Sequence, residues 1–285
     1  MHTFSTTFIL LLLSLILNGC SSIISSATGK MATNLSKAII NNDDLATVKA
    51  GAPAYLLLLD SFIEGDPEDG NILIAAAALN SAYAGVFVED EARAKRLTQK
   101  SLDFSLQASC LKYPSSCQLK EIKFAEFNNV IRQFEIQDIE LLYTLGASWA
   151  GWIESRSGDW NAAAELSRVT AIMQRVVMLN EKYKFGQAHL YLGVLNTLLP
   201  PALGGKPKIG QQHFEKAILI SEGRNLMAKV LYAEKYARLV FDQELHDKLL
   251  TQVIKTDPHI ANFTLTNVLA QRRAKALLTS GKDYF

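Results

Sequence analysis

Apolar positions recur every three to four residues from about residue 43 to the end of the chain, with polar positions between them. This spacing is the period of an amphipathic α-helix, and the strict alternation that is typical of strands is absent over any long run. Turn signals such as Gly65-Asp66-Pro67 and Pro200-Pro201 divide the pattern into successive helices. We therefore predict an all-α fold of about ten to twelve helices in antiparallel pairs, in a single domain over residues 43–285.

Some of the predicted helix pairs carry the small and aromatic positions of tetratricopeptide repeats. Leu192-Gly193 fits the first helix of such a repeat, and Gly210, Phe214 and Ala217 fit the second. Small residues let paired helices approach closely, while aromatic side chains fill the gaps beside them. We expect degenerate, TPR-like repeats that form an α-α superhelix.

Residues 1–19 differ from the rest of the chain. An apolar run from Phe8 to Leu17, broken by one serine, is about ten residues long, shorter than the roughly twenty that span a bilayer. Gly19 then precedes Cys20, with Leu17 three residues before the cysteine, an arrangement that resembles the lipobox of bacterial lipoproteins. We predict a lipoprotein signal peptide over 1–19 and lipidation of Cys20. The alternative is an ordinary secretory signal that happens to be followed by a cysteine.

The residues after the predicted cleavage point indicate a location. Residues 20–42 are rich in Ser, Thr, Asn and Ala, as expected for a lipidated tether. Cys20 is followed by Ser21 and Ser22 and not by an Asp, which would retain the protein in the inner membrane. We expect an outer-membrane lipoprotein that faces the periplasm. No later apolar run is expected to span the bilayer, so membrane contact is predicted through the lipid anchor only. The net charge is +1 without a concentrated basic face, which argues against a nucleic-acid partner.

The other two cysteines, Cys110 and Cys117, flank a short segment that contains Pro114 and two serines. Such a segment favours a turn that can bring the two side chains together. In an oxidising compartment a disulfide is the expected result. A zinc site would need further ligands at short spacing, and neither a histidine nor another cysteine is nearby.

The mature chain contains few groups that could carry catalysis. Its four histidines fall on separate segments without a paired-ligand spacing: His189, His213, His246 and His259. The Gly204-Gly205 loop superficially resembles a phosphate loop but lacks the Gly-Lys-Ser/Thr ending and the preceding strand. We predict no enzymatic activity, no catalytic residue, no metal and no cofactor.

Five aromatic side chains are the candidate ligand contacts: Tyr83, Phe87, Tyr143, Trp149 and Trp152. Tyr83 and Phe87 are four residues apart and Trp149 and Trp152 are three apart, spacings that place each pair on one helix face. The segment around Tyr83 is apolar nearly all round, which is typical of a helix that is buried or lines a dry lumen. Two interpretations stay open, core packing or the aromatic wall of an apolar cavity.

The C-terminal third carries longer motifs. Residues 199–205, 210–218, 223–230, 267–274 and 283–285 closely resemble the TRAP-transporter T-component (TatT) lipoprotein family. The similarity extends more loosely back to Asp43, so it covers most of the mature chain.

This resemblance implies a helical TPR-like lipoprotein that cooperates with the periplasmic solute-binding subunit of a TRAP transporter. It also implies a cleft for a hydrophobic small molecule, such as an organic acid or a lipid-like ligand, and a possible homotrimer. The leading hypothesis is therefore a transport accessory protein that binds or channels such a ligand. The alternative is a TPR-like interaction scaffold of the cell envelope that has no small-molecule ligand.

Overall fold

The computed structural model describes residues 34–285, so the predicted signal peptide and Cys20 lie outside the described residues. Residues 34–40 are helical, and twelve longer or shorter α-helices follow. They are α1 (Leu45–Gly65), α2 (Gly70–Phe87), α3 (Glu91–Lys112), α4 (Phe124–Ile131), α5 (Ile139–Glu154), α6 (Trp160–Ala164), α7 (Leu166–Asn180), α8 (Gln187–Thr197), α9 (Pro207–Ile220), α10 (Leu226–Leu231), α11 (Gln243–Lys255) and α12 (Thr264–Tyr284). The predicted all-α fold is confirmed.

Aspartate side chains begin several of these helices. The carboxylate of Asp44 accepts hydrogen bonds from the backbone N–H groups of Ala46 and Thr47, at 2.9 and 3.1 Å. Asp69 does the same for the first turn of α2. Because the first N–H groups of a helix have no partner within the helix, such caps determine where α1 and α2 begin.

Two stretches that are continuous in their hydrophobic periodicity are divided in the structure. The stretch that begins at Trp160 breaks at Glu165 into α6 and α7. The stretch that begins at Leu226 consists of α10 followed by a π-helix over Tyr232–Ala237. Hydrophobic periodicity does not distinguish a π-helical turn from an α-helical one, because it records which residues are apolar and not the hydrogen-bond step.

The helices surround two apolar cores in succession along the chain. The first core lies among α2 to α8, and the second lies among α8 to α12. Helix α8 contributes to both, with Leu192 in the first and Leu190 in the second. Helices that are consecutive or nearly so pack against each other, as α2 does with α3 and α8 with α9. This order agrees with helical repeats; the TPR-like character of the repeats remains a prediction.

The N-terminal helices α1 and α2 are more apolar than the sequence analysis allowed. By length and composition alone, both could cross a membrane, with mean hydropathies of 1.2 and 1.4. Each nevertheless packs on its neighbour, since the hydroxyl of Tyr83 on α2 donates to the carbonyl of Lys49 on α1 over 3.2 Å. A hairpin packed in this way presents only its outer face to its surroundings.

The start of the described chain contacts the loop before the last helix. The backbone N–H of Asn262 donates to Oδ1 of Asn41 over 2.7 Å. His259 lies 3.2 Å from Asp43 and 2.8 Å from Asp257. Hydrogen bonds to Asp257 and Asp43 raise the pKa of His259. Two of these contacts, His259 with Asp43 and Asn262 with Asn41, join residues more than two hundred positions apart, so they hold the start of the described chain against the loop before α12.

The predicted cysteine turn lies at the end of α3. The Sγ atoms of Cys110 and Cys117 are bonded to each other. The segment that follows is held from α7, where Arg168 donates to the carbonyl oxygens of Leu119 and Ile122 at 2.8 and 2.7 Å. The disulfide and this arginine therefore fix a connection that has little regular structure of its own.

Candidate functional site

Two of the five candidate aromatic residues lie inside the first core. Trp149 on α5 is 0% exposed, and its ring packs edge-on against Phe127 with centroids 5.9 Å apart. Tyr143, earlier on α5, is buried and donates its hydroxyl to Oε1 of Gln187 over 2.5 Å. Burial raises the pKa of Tyr143, so this phenol is a hydrogen-bond donor at neutral pH. Other protein atoms fill the space around both side chains.

Lys184 covers the face of Tyr143. Its Nζ lies 4.9 Å from the centroid of that ring and 5.6 Å from the ring of Tyr183, a cation–π arrangement. The backbone of Lys184 and Phe185 is left-handed, with φ of 45° and 58°. Such a conformation costs about 1–2 kcal/mol per non-glycine residue and persists only where the surroundings impose it. Here the ring of Phe185 packs on Phe263, with centroids 4.9 Å apart.

Tyr83 and Phe87 form a separate cluster between α1 and α2. Their ring centroids are 5.8 Å apart, and Tyr83 is buried with Ala52 and Leu56 of α1. The guanidinium of Arg93 lies 5.4 Å from the centroid of the Tyr83 ring. The five candidates therefore do not meet in one place: the structure divides them between two apolar clusters.

Trp152 is the candidate that contacts residues of a surface cleft. Its Nε1 donates to Oε1 of Gln99 on α3 over 2.6 Å. Two cations lie near its ring, with the guanidinium of Arg156 4.5 Å and Nζ of Lys120 5.3 Å from the ring centroid. Arg156 and Gln99 line the cleft, so Trp152 supports two lining residues without lining the cleft itself.

The cleft lies between the outer face of α3 and the turn that follows α5. It has two open parts of about 490 and 400 Å³, and both are lined by Lys95 and Arg156. The larger part is completed by side chains of α3: Arg96, Gln99, Lys100, Asp103 and Phe104. The smaller part is completed by the turn: Ser157, Gly158 and Asp159. The helical spacing of the α3 residues puts them on one face.

Arg156 is held in place by the groups around it. Its Nη1 donates to Oγ of Ser155 at 3.0 Å and to the carbonyl oxygen of Trp152 at 3.2 Å. Its Nη2 donates to Oε1 of Gln99 at 3.2 Å. Burial lowers the pKa of Arg156, while Asp159 acts in the opposite direction. Because an arginine keeps its proton at neutral pH, the guanidinium is a fixed positive charge beside the cleft.

The cleft lining is rich in cationic groups and partly apolar. Four cationic side chains, Lys95, Arg96, Lys100 and Arg156, outnumber two carboxylates in the lining itself. Lys95 is paired with Glu91 and Lys100 with Asp60, both at 2.5 Å. The methylene stems of the lysine and arginine side chains, together with the Phe104 ring, provide carbon surface below the charges. This arrangement suits an amphipathic anion, whose charged head meets the ammonium groups while its chain covers the carbon surface.

Sequence reasoning missed this cleft because its residues lie on two distant helices and only Trp152 had drawn attention. One signal was present in the sequence: Arg156 follows Trp152 by four residues, about one helical turn, which predicts that the two side chains lie close together. Nothing in the spacing indicated that α3 would supply Lys95 and Gln99.

The Gly204-Gly205 loop has a structural explanation. Gly204 has a φ of 90°, and a Cβ on Gly205 would overlap the carbonyl oxygen of Leu199. The backbone N–H of Gly205 donates to the carbonyl of Pro200 over 3.1 Å. Both glycines are therefore required by the tight return of the chain from α8 to α9.

The structure joins two histidines that the sequence analysis placed on separate segments. Nδ1 of His189 on α8 lies 2.8 Å from Nδ1 of His213 on α9. Burial lowers the pKa of His189 to about 4 and also lowers that of His213. Nε2 of His189 is buried without a hydrogen-bond partner among the described residues, and Glu181 is 3.9 Å away. Two uncharged imidazoles that share one hydrogen bond explain this geometry.

Within residues 34–285, no three His, Cys, Asp or Glu side chains converge as metal ligands.

A protein-family model described as "TRAP transporter T-component" matches residues 41–285 of the chain. No curated protein matches the chain. The resemblance found in the sequence motifs is thereby confirmed, and it supports an accessory role in TRAP transport and a place in the cell envelope. With the match extending over nearly all the described residues, this chain belongs to the TRAP transporter T-component family.

Proposed function

We propose that the protein is a lipid-anchored, periplasm-facing component of a TRAP system that binds a hydrophobic organic acid in the cleft between α3 and the turn after α5. The observation that carries the proposal is the joint lining by cationic groups and carbon surface, with Arg156 fixed by its hydrogen bonds. An amphipathic carboxylate satisfies both parts of this lining. No covalent step is required, so the role is binding and transfer.

The lipid on Cys20 and attachment to the outer membrane belong to the same proposal. The motif around Cys20 supports them, as does the bonded pair Cys110–Cys117, because disulfides persist in the oxidising periplasm. We further propose that the protein passes its ligand to a periplasmic solute-binding subunit and acts as a homotrimer. These two proposals rest on the family resemblance.

Removal of two cationic side chains from the cleft is expected to weaken anion binding. With dodecanoate as the probe, we expect Lys95→Gln combined with Arg96→Gln to raise Kd about tenfold, since two solvent-accessible charge contacts of up to about 1 kcal/mol each are lost. Isothermal titration calorimetry measures the change. Dodecanol, which lacks the charge, should bind the double variant and the unaltered protein equally.

Lys248→Gln is the matched control, because Lys248 is exposed on α11, far along the chain from the cleft. Dodecanoate affinity should not change in this variant. If the unaltered protein does not bind dodecanoate, or if the double variant binds it with unchanged affinity, the cleft is not the ligand site. The first of these results would favour the interaction scaffold instead.

A further inference from the structure

The outer face of α1 carries no charge between Thr47 and Leu58. Thr47, Ala50, Ala54, Leu57 and Leu58 are exposed, and their spacing places them on one side of the helix. Surface helices of globular proteins usually present charged or polar residues on the side opposite the core. On α1 the outer side is instead apolar, and Leu57 is 71% exposed.

The neighbouring helix α2 continues this surface. None of its eighteen residues is charged. Its exposed positions recur at helical spacing, and most are small: Asn71, Ala75, Ala78, Ala82 and Val86. Because α1 and α2 pack on each other, their outer sides together form an uncharged surface at the first turn of the superhelix, which we call the α1–α2 face.

Two of the three charged residues of α1 form ion pairs. Nζ of Lys49 is 3.6 Å from Glu89, and Asp60 is paired with Lys100 of α3. The third, Glu64, is exposed in the last turn of the helix. The turn between α1 and α2 is acidic, with Asp66 and Glu68, so electrostatic attraction to anionic lipid does not favour this face.

We propose that the α1–α2 face lies flat on the lipid bilayer. The proposal rests on the proposed lipid at Cys20, because the chain that leads from this cysteine enters the described structure at residue 34 and reaches α1 eleven residues later, through the helical residues 34–40. The lipid therefore tethers the protein to the bilayer on the side where α1 begins. Protein interfaces depend on aromatic or arginine anchors and on hydrogen-bonding groups, which this face offers only sparsely, whereas a bilayer requires no directional partner.

The geometry suits a helix that lies in the membrane interface. At 1.5 Å per residue, the 21 residues of α1 extend over about 30 Å. Interfacial helices bury their apolar side roughly 5–10 Å deep while the opposite side stays outside. The opposite side of α1 is occupied, since Val48, Ala52 and Leu56 are buried inside the protein. The face can therefore enter the interface without unfolding the hairpin.

Photo-cross-linking tests the orientation directly. p-Benzoylphenylalanine replaces either Leu57 or Leu219 in the otherwise intact mature protein, which is mixed with phosphatidylcholine vesicles and irradiated. Leu219 on α9 is a matched control because it is also a leucine that is 71% exposed. Mass spectrometry then measures phospholipid adducts, and circular dichroism checks that both variants are folded. We expect at least about ten times more lipid adduct at position 57 than at 219, because a probe that leaves water for the interface meets far more lipid.

Equal adduct at the two positions, or none at either, would overturn the proposal. A cross-link from position 57 to a second copy of the chain would also overturn it, because the face would then be a protein interface. Co-sedimentation of the unsubstituted protein with the vesicles is a separate measurement of the lipid anchor. If the protein did not sediment with the vesicles but lipid adducts still formed at position 57, the result would contradict the lipid anchor and not the contact of the α1–α2 face with the bilayer.

Discussion

Trp149→Ala is expected to lower the free energy of unfolding by about 3–5 kcal/mol, the range observed when a large aromatic side chain is removed from a core. Trp149 is 0% exposed and contacts Phe127, while the guanidinium of Arg168 lies 5.9 Å from its ring centroid. The truncation leaves a cavity that α5 and α7 cannot close without moving. Urea denaturation followed by circular dichroism gives the change.

Trp160→Ala is the natural control for this prediction. Trp160 is 88% exposed at the start of α6, so we expect its truncation to change stability by no more than about 0.5 kcal/mol. If the two tryptophan variants were equally stable, Trp149 would not be a core residue. An additional loss of dodecanoate binding in a folded Trp149→Phe variant would instead revive the interpretation that this residue lines a ligand cavity.

Acidification from pH 7 to pH 4 is expected to lower the free energy of unfolding by up to about 3 kcal/mol through His189. Burial places the pKa of this imidazole at about 4 in the folded protein, against 6.5 when it is free. Above pH 6.5 both states are neutral and the full stability is present. As the pH falls below 6.5 the unfolded chain takes up the proton first, so stability decreases until the folded protein is also protonated near pH 4.

His189→Gln should remove most of this acid-dependent loss, as measured by urea denaturation at pH 7, 5.5 and 4. Part of the loss is expected to remain, because burial also lowers the pKa of His213. His259→Gln is the control: the pKa of that exposed residue is raised, so it stabilises the fold at low pH and its removal should not reduce the loss. An unchanged pH dependence in His189→Gln would show that the histidine pair is not buried as described.

Several features of the fold could be predicted because they depend on local chemistry. Asp159 begins α6 by accepting a hydrogen bond from the backbone N–H of Asn161, and the turn at Gly158 has a φ of 98°, which glycine adopts without strain. The prediction of a cysteine turn depended on Pro114 and the adjacent serines, and Cys110 and Cys117 are bonded in the structure. Each of these conclusions needs only a few neighbouring residues.

The candidate site could be predicted only in part. Trp152 was among the expected ligand contacts, and it supports the cleft. The cationic groups Lys95 and Arg96 come from α3, which is separated from the end of α5 by the cysteine turn and α4. No local pattern relates residues that far apart, because the packing of α3 on α5 depends on the whole first core.

The helical class, the family and the expected envelope location follow from the amino-acid sequence alone, since periodicity and short motifs are local properties of the chain. The role of the aromatic residues depends on the packing of the helices. Trp149 and Trp152 are equally compatible with a core or a pocket in the sequence, yet α7 closes over the first and leaves the second beside a charged cleft. The packing also brings His189 and His213 into one hydrogen bond and leaves the outer side of α1 uncovered. Burial depends on which helices meet, and that is a property of the packed chain.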